Sequence, residues 1–159
     1  MKALAMKWQL LFSITFLMVV VYWLLFSQMA EVVAAKVPIV SKAGQERIIL
    51  TLELADTPIK QQQGLTPLKS MGYSYGMLYV FDSPAKRYLR TKDMRFNTDI
   101  FFVDKDNRIA TITKQAQPCY SVVCPLYDSI YDVKYIIQAT GGLAESEGIV
   151  VGDVADIRL

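Results

Sequence analysis

The sequence predicts a mainly β chain: a compact antiparallel β sandwich or barrel-like domain with two short helices, preceded by one N-terminal transmembrane helix. Three observations carry this expectation. From residue 47 to residue 159, short runs rich in β-branched and aromatic residues recur between Gly, Pro, Asn and Asp turn signals, and the first of them alternates with period two. Only two stretches in that region carry helix signals. Residues 8–30 form a run of 23 residues without a charge, which as a helix reaches roughly 34 Å and spans a bilayer.

Lys2 and Lys7 precede the uncharged run and no Lys or Arg follows until Lys36. The positive-inside bias therefore keeps the amino terminus cytoplasmic and sends the rest across. The two tryptophans, Trp8 and Trp23, sit near the ends of the run, where amphipathic indoles favour the headgroup region. A cleaved signal peptide competes with this anchor, because Val33-Ala34-Ala35 offers small residues ahead of Lys36. The apolar stretch Leu10–Phe26 exceeds the usual signal core of about 7–15 residues, and Ala35 lies nine positions beyond its end. The retained anchor is the favoured expectation. It gives a single-pass protein of the cytoplasmic membrane, held in the lipid bilayer through residues 8–30, with its domain on the periplasmic or extracellular side. Secretion after cleavage near Ala35 is the alternative.

Residues 31–46 mix small apolar residues with Pro38, Lys42 and Gly44, lack a period, and read as a linker. The β domain then covers 47–159. Ile48, Leu50, Leu52 and Leu54 alternate with Ile49, Thr51 and Glu53, as a strand with one buried face requires. Thr57-Pro58 has the form of an N-cap followed by proline at the first helical position, and Gly64 suits the left-handed residue after a short helix. Gly76–Phe81, Arg87–Thr91, Asp99–Val103 and Arg108–Thr113 read as further strands. Val133–Ala139 is another, Thr140–Glu147 is one or two helical turns stopped by Gly148, and Gly152-Asp153 turns the chain into a last strand, Val154–Arg158.

Composition narrows the chemistry. The chain of 159 residues carries 17 Lys+Arg, 15 Asp+Glu and no histidine. Without an imidazole there is no Ser-His-Asp or Cys-His nucleophile system, no HExxH helix and no His-ligated metal. A net charge of +2 with 20% charged residues leaves no nucleic-acid footprint and no signature of disorder. No cofactor motif is visible.

Several segments in order resemble the DUF192 family, a domain of unknown function. They are Leu54-Ala55-Asp56-Thr57-Pro58 with Gly64-Leu65, Gly76-Met77-Leu78-Tyr79-Val80-Phe81, and Lys92-Asp93-Met94-Arg95-Phe96 with Asp99-Ile100-Phe101-Phe102-Val103-Asp104. The likeness continues through Gln117-Pro118-Cys119, Cys124-Pro125-Leu126-Tyr127, Val133-Lys134-Tyr135-Ile136-Ile137, and Gly148-Ile149 with Gly152-Asp153. What the resemblance implies is a compact, mostly β domain, often exported in bacteria, with no established activity. Lys92 and Asp99 match the family pattern. Arg90-Thr91 stands where the family usually has Trp-Met, Asn97-Thr98 where it has Pro-Leu, and Thr66 where a methionine is usual.

Cys119 and Cys124, flanked outside by Pro118 and Pro125, predict a disulfide in an oxidising compartment. A redox-active pair lacks its CxxC spacing, and a zinc site would need two further ligands. Between residues 86 and 95, Lys86, Arg87, Arg90, Lys92 and Arg95 interleave with Tyr88 and Asp93. In an extended segment Tyr88, Arg90 and Lys92 share a face, which suits an anionic glycan, a phosphate or lipid headgroups; a solvated edge strand protected by its cations competes. The candidate binding set is Tyr88, Arg90, Lys92, Asp93 and Asp99. Asp93 with Asp99, or Asp128 with Asp132, are the carboxylate pairs of an alternative, a small hydrolase acting on a glycan. Asp104-Lys105-Asp106-Asn107 resembles a calcium loop but lacks its glycine and its twelfth-position glutamate, and reads as a hairpin turn. The functional expectation is an extracytoplasmic binding or accessory module whose partner is an unknown envelope protein or anionic glycan, with no metal, cofactor or nucleic acid.

Overall fold

The computed structural model describes residues 15–23 and 34–159. Residues 15–23 are helical (α1); the remainder of the 8–30 run lies outside the described residues. Among the described residues no helix is long and apolar enough to cross a membrane. Val33–Leu159 forms a unit of its own, and the following account concerns that unit.

Its elements are β1 (Ala34–Val40), β2 (Glu46–Ala55), α2 (Pro58–Gln63), β3 (Tyr75–Leu89), β4 (Thr98–Val103), β5 (Ile109–Ala116), β6 (Tyr127–Thr140), α3 (Leu143–Ser146) and β7 (Val154–Ala155). All seven strands belong to one sheet in the order β5-β4-β6-β3-β2-β1-β7. The fold is a single curled sheet, a half-barrel, and not two stacked sheets. Its outer strands meet at one place, where Arg108 bridges Val154 and the Ile109 amide donates to the Asp153 carbonyl at 2.9 Å.

Four expectations are corrected. Residues 34–40, read as linker, are β1, paired with β2 from Ala34 opposite Glu53 to Val40 opposite Glu46. Val37 and Ile39 are buried on alternate positions, but small residues and Pro38 hide that period. The sheet is not wholly antiparallel: β2 and β3 run parallel, Thr51 opposite Tyr75 and Ala55 opposite Tyr79. A parallel pair needs a crossover of a dozen or more residues, and residues 56–74, with α2, provide it. Gly76–Phe81 and Arg87–Thr91 are not separate strands, since β3 continues through Ser83-Pro84 by a bulge against β6. The Arg87 guanidinium closes over that bulge, 4.2 Å from the centre of the Phe81 ring and donating to the Ser83 carbonyl at 3.0 Å. The last strand shortens to Val154–Ala155.

Side-chain alternation divides the core between the two faces of the sheet. Leu50, Leu52, Leu78, Phe101, Val103 and Ile137 pack on one side with α3 residues Leu143 and Ala144. Met77, Tyr79, Ile100, Phe102 and Ile136 pack on the other side, under Leu65 and Met94. β4 is therefore buried along its whole length. The second face is where the chain covers the sheet incompletely.

Candidate functional site

That incomplete cover leaves a cleft of about 850 Å³. One wall is the end of α2 with Gly64–Pro67, the other is the segment from Tyr88 to Met94, and the floor is Tyr79, Phe81, Ile136 and Gln138. Thr57 caps α2 by accepting the Lys60 amide at 3.3 Å, with Pro58 opening the helix as expected. Gln61 clips the helix to the sheet, its Nε2 donating to the carbonyls of Ala55 at 3.2 Å and Val80 at 2.8 Å. Gly64 has φ +51°, and a Cβ there would stand 2.7 Å from the Tyr79 hydroxyl. Only glycine lets the wall approach the floor so closely.

The floor is polar but neutral. Tyr79 Oη donates to Gln138 Oε1 at 2.9 Å, and Gln138 Nε2 donates to Thr98 Oγ1 at 3.1 Å. Burial raises the Tyr79 phenol well above its ordinary value of 10.0, because a phenolate would lose its solvation there. At neutral pH this network orients groups and carries no charge.

The second wall alternates as an extended segment should. Tyr88, Arg90 and Lys92 are exposed, while Thr91 between them is buried. Thr91 Oγ1 donates to the Gln117 carbonyl at 2.6 Å, the Cys119 amide donates to the Thr91 carbonyl at 3.1 Å, and the Asp93 amide donates to the Cys119 carbonyl at 2.8 Å. Asp93 sits at φ +57°, a conformation Asp tolerates better than most residues. Cys119 and Cys124 form a disulfide, so a covalently closed loop braces the wall. Among the described residues no carboxylate forms an ion pair with Arg90 or Lys92.

Tyr88, Arg90, Lys92 and Asp93 are thus brought together. Asp99 is not among them: it is wholly buried and its carboxylate accepts the backbone amides of Gln115 at 2.8 Å, Gly142 at 3.1 Å and Ala144 at 2.7 Å. It holds the start of α3 and the left-handed Gln115 at the end of β5. Asp128 and Asp132 are exposed on β6, opposite Tyr88 and Lys86. Asp104 accepts the Asp106 and Arg108 amides at 2.8 and 2.9 Å, and Asn107 takes φ +62°: a hairpin turn, as the sequence indicates. The α2 wall, Tyr79, Phe81 and Gln138 were not foreseen. One signal was available, since Gln138 is the lone polar side chain in the otherwise apolar run 135–139.

The pattern of the DUF192 family, described as "Uncharacterized ACR", matches residues 39–157. The chain belongs to the DUF192 family. Among solved structures, a proposed transcription regulator from Sinorhizobium meliloti 1021 is similar over 79% of this chain and 96% of its own, with 30% identity and a TM-score of 0.71. A protein of unknown function from Novosphingobium aromaticivorans DSM 12444 shares the fold over 82% of this chain and 89% of its own, with 23% identity and a TM-score of 0.73. A comparison with curated proteins returns no match. The cleft thus belongs to a DUF192 domain, and the cationic pair on its rim stands where the family usually places Trp and Lys.

Proposed function

We propose that this DUF192 protein is a membrane-anchored, extracytoplasmic binding module of the cell envelope that captures an anionic glycan in the cleft between α2 and the Tyr88–Met94 segment. The observation that carries the reading is the pairing of a neutral, hydrogen-bonded floor with two cations that lack ion-pair partners among the described residues. Such a floor suits sugar hydroxyls, Tyr88 offers a ring face, and Arg90 and Lys92 suit a carboxylate or phosphate. The hydrolase alternative loses support: of the described cleft residues only Asp93 is acidic, and a glycosidase needs a second carboxylate facing it. The disulfide supports an oxidising compartment. Cleavage after Ala35 would remove two residues of β1 that pair with Glu53 and Leu52, which supports a retained anchor.

The test is retention of the detergent-solubilised full chain on polygalacturonate, with dextran as the neutral control, for the native chain and Arg90→Glu. A charge-assisted contact contributes about 1.5–3 kcal/mol, so reversing Arg90 weakens binding to polygalacturonate by about tenfold or more. Equal retention of both proteins would place the binding face elsewhere.

A further inference from the structure

The polar groups of the cleft floor are committed to one another in a single sense. Gln138 Nε2 donates to Met94 Sδ at 3.2 Å and to Thr98 Oγ1 at 3.1 Å. A thioether sulfur can only accept, so the amide is held in one orientation, with both protons used and Oε1 turned toward Tyr79. The Tyr79 hydroxyl gives its proton to that oxygen, at 2.9 Å. What it keeps for a ligand is an acceptor lone pair.

A second acceptor lies beside it. A Cβ at Gly64 would stand 2.7 Å from Tyr79 Oη and 4.0 Å from the Gln61 carbonyl oxygen, and its chain neighbours aside, no side chain but that of Tyr79 would come within 4 Å of it. Glycine leaves that space open. The Gln61 carbonyl, in the last turn of α2, accepts no backbone amide among the described residues, as is usual for the final carbonyls of a helix. Leu65, Phe81, Met94 and Ile136 supply apolar surface in the same part of the cleft. The α2 side therefore offers acceptors in an apolar setting, and the facing wall offers the donors Arg90 and Lys92.

That polarity discriminates between ligand groups. A sugar hydroxyl can donate to Tyr79, but its own lone pairs then find no donor left in the floor. An ammonium would exchange its hydration for neutral acceptors alone, at a large cost. An amide N–H donates without needing a donor in return, its carbonyl points the opposite way across the planar trans bond, and its acyl carbon suits the apolar lining.

We infer that the anionic glycan taken by the cleft is an N-acylated sugar acid: its acylamino N–H donates to Tyr79 Oη, its acyl group lies on Leu65, Met94 and Ile136, and the carboxylate of the same sugar meets Arg90 and Lys92. The inference rests on the glycan-binding reading given above and narrows its ligand class.

The experiment displaces the detergent-solubilised full chain from polygalacturonate with N-acetylneuraminic acid or with deaminoneuraminic acid. The two carry the same single carboxylate and differ in one group, acetamido in the first and hydroxyl in the second. The acetamido sugar should displace the native chain at about fivefold lower concentration or less, and Tyr79→Phe should bring the two concentrations within about twofold of each other. Circular dichroism reads whether Tyr79→Phe folds; if it does not, the comparison on the native chain decides by itself. Equal displacement by both sugars, better displacement by the hydroxyl sugar, or displacement by neither overturns the inference and leaves the anionic-glycan reading standing. A preference that survives in folded Tyr79→Phe overturns the role given to the Tyr79 hydroxyl. A native chain that polygalacturonate does not retain removes the glycan reading, and this inference with it.

Discussion

Asp99→Ala separates an architectural carboxylate from a catalytic one. The native carboxylate is fully buried and accepts three backbone amides, from Gln115, Gly142 and Ala144. Alanine leaves those donors facing a small void. A buried donor without a partner costs about 1–3 kcal/mol, and partial entry of water recovers some of that, so the expected loss is about 3–5 kcal/mol. That is a large share of the ~6–15 kcal/mol expected for a domain of this length. Asp99→Asn keeps one acceptor oxygen but turns an amide NH₂ toward one of the donors, and should lose about 2–3 kcal/mol. Urea unfolding of the full chain followed by far-UV circular dichroism reads this directly: with a slope of about 2 kcal/mol per molar, Asp99→Ala lowers the midpoint by about 2 M. Asp128→Ala, at an exposed carboxylate on β6, should move stability by less than about 0.5 kcal/mol. A loss below about 1 kcal/mol for Asp99→Ala would refute the reasoning, since the three amides would then be satisfied without the carboxylate.

Two further outcomes follow from the geometry. Replacing both Cys119 and Cys124 by serine should cost about 2 kcal/mol for so short a closed loop and weaken polygalacturonate retention as well, because the Cys119 backbone braces Thr91 and Asp93; unchanged stability and retention would show that the loop holds its shape unaided. Tyr75, whose phenol donates to Glu53, is pushed up from 10.0 to about 12 by burial first and by that carboxylate second. The folded state therefore favours the neutral phenol, and its contribution is complete below pH 10 and lost as pH rises toward about 12. Tyr75→Phe should flatten the fall in stability across that window in urea titrations at graded pH, and an equally steep fall in the variant would assign the alkaline loss to another group.

Local pattern carried much of the fold. The alternation of Leu50, Leu52 and Leu54, the Thr57-Pro58 helix start, the apolar run of β4 and the Asp104–Asn107 turn all depend on neighbours in sequence, and all are present in the structure. The elements that escaped depend on distant partners. β1 is a strand because β2 and β7 pair with it, and the parallel register of β2 with β3 is set by where the crossover lands. The site divides along the same line. Tyr88, Arg90 and Lys92 share a face for reasons internal to one segment, whereas the opposing wall at Gly64 reaches them only through the sheet. Asp99 misled for the same reason: its amide donors lie 16, 43 and 45 residues away, and in sequence a buried capping carboxylate looks like a catalytic one.

The departures from the family pattern are not equivalent. Thr91 and Thr98 stand where apolar residues are usual, yet both are buried and both hydroxyls are bonded, Thr91 to the Gln117 carbonyl and Thr98 to the Gln138 amide. A buried hydroxyl with a partner avoids the main desolvation cost, so these changes leave the scaffold intact. Arg90 is different: it is exposed on the cleft rim, beside Lys92, with no ion pair among the described residues. A guanidinium in the place of an indole exchanges an apolar contact for a planar set of hydrogen-bond donors. The floor of Tyr79 and Gln138 carries no charge at neutral pH, so in the binding function proposed above discrimination by charge falls to Arg90 and Lys92 at the rim.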